Sequence, residues 1–170
     1  MSENVKWLLL GSLFFVCSSC SEKARDDDWI ADWDVQKEVT EDIEILYSDS
    51  AKVRVRVRGP QMDYVSDRAN PLQEFPKGIF VEFFDDDFLV SSTLTGNFAQ
   101  RFENRNLIIV RDSVVWKSRE GEKLESEELI WDEEKQKVYT QKFARITRAD
   151  EIIYGYGFEA TQNFKDASIK

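Results

Sequence analysis

Two cysteines and no histidine decide what chemistry this 170-residue chain can carry. Without histidine the commonest general base and the commonest metal ligand are missing. The chain beyond Cys20 has no cysteine, so thiol and zinc chemistry are excluded there, and Ser–His or Cys–His nucleophile pairs cannot form. Acids are abundant but none is singled out. Glu122, Glu125, Glu127 and Glu128 crowd one stretch; paired carboxylates of that kind could hydrolyse a glycosidic bond, but a solvated strand face is the plainer reading. Asp85-Asp86-Asp87 lacks the ligand spacing of a calcium loop and reads as a turn. Gly155-Tyr156-Gly157 precedes no helix and makes no phosphate loop. No enzymatic activity, metal or cofactor is expected.

The chemistry that the residue order does favour is lipid attachment at Cys20. An apolar run of about ten residues, Trp7–Val16, follows Lys6 and precedes Cys17-Ser18-Ser19-Cys20. It is short of the roughly 20 apolar residues that a spanning helix needs, and it has the length of a signal-peptide core. Small side chains before a cysteine suit a narrow signal-peptidase cleft, and a new N-terminal cysteine can take acyl chains on its sulfur and its amine. Residues 1–19 are therefore read as a lipoprotein signal peptide and Cys20 as a lipid anchor. Each methylene buried in the bilayer contributes about 0.8 kcal/mol to such an anchor. An ordinary secretory signal with incidental cysteines is the alternative.

Charge divides the remainder. Residues 21–50 hold eleven acids against three bases, and residues 51–170 are almost balanced. A nucleic-acid binder shows the opposite, a concentrated basic face, so no nucleic-acid partner is expected. Residues 20–42 are read as the lipidated cysteine with an acidic tether, and residues 43–170 as one domain. Trp29 and Trp33, four apart, would share one face of a helix. They would serve either as a tab on a membrane or partner, or as a short helix packed on the domain edge.

From Asp42 onward the period is two. Lys52–Arg58 alternates valine and cation without a fault, the mark of a half-buried strand. Gly59-Pro60 stops it, and residues 66–77, with Asn70-Pro71 and Phe75-Pro76, read as a loop. Further strands are predicted over 78–84, 88–95, 98–103, 107–111, 113–119, 123–131, 137–147 and 151–164. Turn signals every 8–12 residues with no long helix argue for an all-β, antiparallel sandwich or barrel. The candidate inward stripe is Val53, Val55, Val57, Ile79, Val81, Phe83, Val90, Leu94, Ile108 and Val110, continued by Leu124, Leu129, Val138 and Ile146. Such a stripe fits a dry, filled core or a core partly open to hold alkyl chains, and the pattern alone leaves both open.

The string Glu74-Phe75-Pro76-Lys77-Gly78-Ile79-Phe80-Val81-Glu82-Phe83-Phe84-Asp85 resembles the LptC family of lipopolysaccharide-export proteins in its Bacteroidetes-type form. Ser92-Thr93-Leu94-Thr95, the run Gly121–Asp132, Arg145-Ile146-Thr147 and the run Ile153–Ala160 fit the same pattern. The resemblance implies a twisted, half-open β-jelly roll of the OstA/LptA-like kind with an apolar interior groove. It implies a non-enzymatic carrier that receives lipopolysaccharide from an inner-membrane ABC transporter with LptF/LptG-type subunits. The lipid A acyl chains would lie against the stripe residues, and the carrier would pass the lipid to a periplasmic LptA-like bridge protein. The family docks its bridge protein on the C-terminal edge, here Ile153, Tyr154, Tyr156, Phe158 and Ala160. Well-known members anchor through an N-terminal transmembrane helix, whereas this chain is expected to sit in the periplasm on lipid at Cys20, with the inner membrane favoured. The alternative is a structural envelope lipoprotein whose β domain is a protein-interaction module.

Overall fold

The alternation at Lys52–Arg58 becomes the first half of a long strand, β2 (Lys52–Ser66), in the computed structural model, which describes residues 36–67, 70–161, 164 and 167–169. The expected signal peptide, Cys20 and the Trp29/Trp33 pair lie outside these residues. β1 (Gln36–Asp49) runs antiparallel to β2 along its length. It pairs from Gln36, so residues 36–42, assigned from the sequence to the tether, are already sheet. Lys37 Nζ lies 2.7 Å from the buried Asp63 carboxylate of β2 and ties that stretch down.

The remaining strands are β3 (Leu72–Phe75), β4 (Ile79–Phe84), β5 (Val90–Gly96), β6 (Phe98–Phe102), β7 (Leu107–Ser118), β8 (Lys123–Asp132), β9 (Lys137–Thr147), β10 (Ile152–Thr161) and β11 (Ser168–Ile169). All described pairings are antiparallel. Three expectations are corrected. Gly59-Pro60, expected to stop the strand, lies inside β2, which runs on to Ser66. The loop expected over 66–77 contains β3, squeezed between Pro71 and Pro76. The two strands expected over 107–119 are one, β7, with a bulge at Asp112-Ser113.

Two long strands have different partners at their two ends. Val55–Arg58 of β2 pair with β4, and Asp63–Val65 pair with β3. Val115–Ser118 of β7 pair with β5, and Leu107–Arg111 pair with β6. The changeover is marked on strand after strand. Asp42 of β1 has φ 51°, and Gly59-Pro60 of β2 lies across from it. Asp112 and Ser113 have φ 61° and 60°. The β8–β9 register slips between Ser126 and Ile130, and the β9–β10 register slips at Gly157, φ 81°. An extra residue bends a strand and raises its twist. Aligned across the sheet, these irregularities form a crease.

Backbones come close at the crease. A Cβ on Gly78 would sit 2.7 Å from the Gly96 carbonyl oxygen, and one on Gly96 would overlap Val110 Cγ1. Only glycine permits such an approach. The crease folds the sheet into two flaps. Flap A contains β4, β5, the second half of β1, the first halves of β2 and β10, and the parts of β7, β8 and β9 paired beside them. Flap B contains β3, β6, β11 and the opposite halves of the long strands. The Phe83 ring of flap A and the Trp131 ring of flap B stand 6.2 Å apart, so the inner faces meet. The architecture is the twisted, half-open β-jelly roll.

The cations of β2 lie on the outer face. Arg56 and Arg58 both reach Glu82 Oε2, at 2.7 and 2.8 Å, and cover the rings of Phe84 and Phe80. The valines on the opposite side turn inward toward Ile79, Val81 and Leu94. Fully burying one such aliphatic side chain stabilises the fold by about 1.5–3 kcal/mol.

Candidate functional site

Between the flaps lies an apolar cavity of about 180 Å³. Flap A contributes Val55, Val57, Ile79, Val81, Phe83 and Leu94, and flap B contributes Ile108, Val110, Leu129 and Val138. These ten came from the expected stripe. The other four stand elsewhere. Leu124 and Ile146 are cross-strand partners buried in the filled part of the core. Val53 and Val90 are half-buried and outside the cavity. Val53 lies beyond the stretch of β2 that β4 covers, opposite Ser48, where the β1 register slips. Val90 is separated from Leu94 by the register slip between β4 and β5, which breaks the parity that linked them.

The sequence pattern missed Tyr47, Gln73, Phe75, Ala99, Arg101, Trp131, Glu133 and Phe164, which complete the lining. Gln73 and Phe75 sit in the strand hidden between two prolines. Trp131 was within reach, because it lies two residues beyond Leu129 on one strand. Phe164 stacks on Trp116 at 4.3 Å between centroids.

Flap B brings polar groups into this apolar setting in a single cross-strand row. Gln73 pairs with Arg101, Arg101 with Ile108, and Ile108 with Trp131. Arg101 lies over the Tyr47 ring and 3.5 Å from the Glu133 carboxylate. Gln73 Nε2 donates to Glu103 Oε1 at 3.1 Å. Among the described residues, the buried side-chain atoms without a protein hydrogen-bond partner are Gln73 Oε1, Arg101 Nε, Trp131 Nε1 and Trp116 Nε1. Gln73, Arg101 and Trp131 are among the residues that line the cavity.

The five residues expected to dock a partner divide into two groups. Tyr154 and Tyr156 are 68% and 73% exposed and cluster with Phe143, whose ring lies 6.2 and 5.6 Å from theirs. Ile153 is half-buried against the core. Phe158 and Ala160 are each only 3% exposed, so they are core residues and not surface contacts. Gly157 reverses the alternation and turns them inward. β11 pairs with Phe158 and Glu159, and Ile152–Tyr156 have β9 as their only partner among the described residues.

Most members of the acid clusters are engaged in ion pairs. Asp85 binds Arg119 at 2.7 Å and accepts two backbone N–H groups, and Asp86 sits 2.9 Å from Arg54. Those bonds hold both carboxyls below the usual range, chiefly through Arg119 and Arg54. Glu122, Glu125 and Glu128 pair with Arg148, Lys123 and Arg111. What the cavity offers chemically is burial of hydrocarbon. Among the described residues no helix is long and apolar enough to cross a membrane.

No protein-family model matches the sequence, and no curated protein matches it. Among solved structures, the chain is similar to LptH of Pseudomonas aeruginosa, described as the LptA homologous periplasmic component of the conserved lipopolysaccharide transport device. The similarity is at 15% identity, over 71% of this chain and 94% of that one, with a TM-score of 0.40.

Proposed function

We propose that this chain is a non-enzymatic carrier of lipopolysaccharide of the LptC kind. In this reading it stands in the periplasm on lipid attached to Cys20 at the inner membrane. It accepts lipopolysaccharide from an ABC transporter with LptF/LptG-type subunits and releases it to an LptA-like bridge protein. The observation that carries the reading is the apolar cavity between two facing flaps, lined by the residues that alternate inward along the strands. Hydrocarbon placed there gains roughly 25 cal/mol per Å² removed from water, and an equivalent groove in the next protein lets the chain move on without a deep trap. A cavity of about 180 Å³ accepts part of one chain as it stands, so a multiply acylated lipid requires the flaps to part.

The test places a photo-crosslinking residue at Val81, at Leu129 and at the outward-facing Phe80. Lipopolysaccharide adducts from the two inner positions and not from Phe80 are expected. Adducts to protein alone would replace the carrier with a structural envelope lipoprotein. Depletion of the protein should leave newly made lipopolysaccharide at the inner membrane, and Cys20→Ala should abolish fatty-acid labelling.

A further inference from the structure

We infer that the Gln73–Arg101–Trp131 row of flap B is a binding site for the amide linkage of an acyl chain held in the cavity. The inference rests on the acyl-carrying reading above and adds to it the chemical class of linkage that the protein recognises. Arg101 Nε and Trp131 Nε1 are buried N–H donors, and Gln73 Oε1 is a buried acceptor, and none has a protein partner. Leaving such groups unmatched costs more than an ordinary hydrogen bond contributes. The Gln73 amide has a definite orientation, because Glu103 can only accept and therefore takes the Nε2 side. Its oxygen is thus the end left without a partner.

The three atoms belong to one row. Arg101 is directly opposite Gln73, and Trp131 is two strands further on, across Ile108. Neighbouring strands are about 4.8 Å apart, so a long arginine side chain and an indole can converge on one small group. The charges exclude a head-group anion. Glu133 already balances Arg101 at 3.5 Å, and Glu103 stands beyond Gln73. A carboxylate or phosphate placed here would face those two acids. A neutral linkage fits. An amide carbonyl has two lone pairs for the two donors, and its N–H meets the one acceptor. An ester supplies the carbonyl and lacks the N–H.

The experiment measures displacement of a fluorescent acyl probe from the full chain in a steroid detergent, using N-methyldecanamide, methyl decanoate and decanoate. The amide is expected to bind roughly fivefold tighter than the ester, the ratio one hydrogen bond supplies, and decanoate weakest. Gln73→Met should erase the preference of amide over ester, while Trp131→Phe should weaken amide and ester alike. Equal affinity for amide and ester, a preference that survives Gln73→Met, or tightest binding by decanoate would each overturn the assignment of this row and leave the carrier reading standing. Failure of all three probes to displace would remove the carrier reading and this inference with it.

Discussion

The wall formed by β2, β4 and β5 presents Val55, Val57, Val81, Phe83 and Leu94 to the cavity, and the facing wall, formed by β3, β6, β7 and β8, sets Gln73, Arg101 and Trp131 among Phe75, Val110 and Leu129. Both walls are antiparallel sheet, and the same long strands feed both. The first can hold a ligand only through contact area, which is indifferent to orientation. The second adds directional groups, which can fix how far a chain slides in. The proposed carrier would gain from this division, since area would supply capture and a few hydrogen bonds would supply register.

The largest effect should come from damaging the join between the walls. Gly78→Val puts a branched side chain at φ 86° and within 2.7 Å of a backbone oxygen. A loss of about 3 kcal/mol or more is expected in urea unfolding. An unchanged midpoint would show that the walls do not depend on that close approach.

Contrasting the walls directly gives the next effect. Val81→Asp buries an unpaired charge in the purely apolar wall and should cost about 3 kcal/mol. Arg101→Met in the mixed wall gives up a long, partly exposed ion pair and should cost about 1 kcal/mol or less. Equal losses in thermal melts would erase the distinction between the walls.

Acid should weaken the outer faces of both. The carboxyl of Glu82 is held below the usual range chiefly by its hydrogen bond from Arg56, that of Asp63 by Lys37 and that of Asp132 by Lys135. A depressed folded-state value means that these groups stabilise the fold above their unfolded values. That stability is lost as pH falls through the folded ones. Stability should therefore hold above about pH 5 and decline below about pH 4, and Glu82→Gln should flatten part of the decline. A fold that strengthens on acidification would contradict the pairing. The smallest effect is expected from Tyr156→Ser on the outer aromatic cluster, within about 0.5 kcal/mol in the same melts.

The apolar wall was legible in the sequence because one parity runs unbroken through Val55–Val57 and Ile79–Phe83. The other wall was legible only in part, through Ile108, Val110, Leu129 and Val138, for two physical reasons. Bulges reset the parity, so Leu124 and Leu129, of opposite parity, both face inward, and Phe158 departs from Tyr154 and Tyr156. Its inward polar residues also have the composition of a solvated face. Gln73 and Arg101 differ from surface residues only in what lies across from them, and that is decided by β3, a strand of four residues between two prolines.

The crease also governs how the molecule can yield under load. Ladder hydrogen bonds in an antiparallel sheet run perpendicular to the strands, and here that direction lies along the crease. Flexing about this line turns strands at their bulges and leaves the ladders on either side intact. The resistance comes instead from contacts across the gap, such as Phe83 against Trp131, which an incoming hydrocarbon chain replaces in kind. In the proposed carrier the aperture would therefore widen with cargo size, and one backbone topology would serve both an empty and a laden interior.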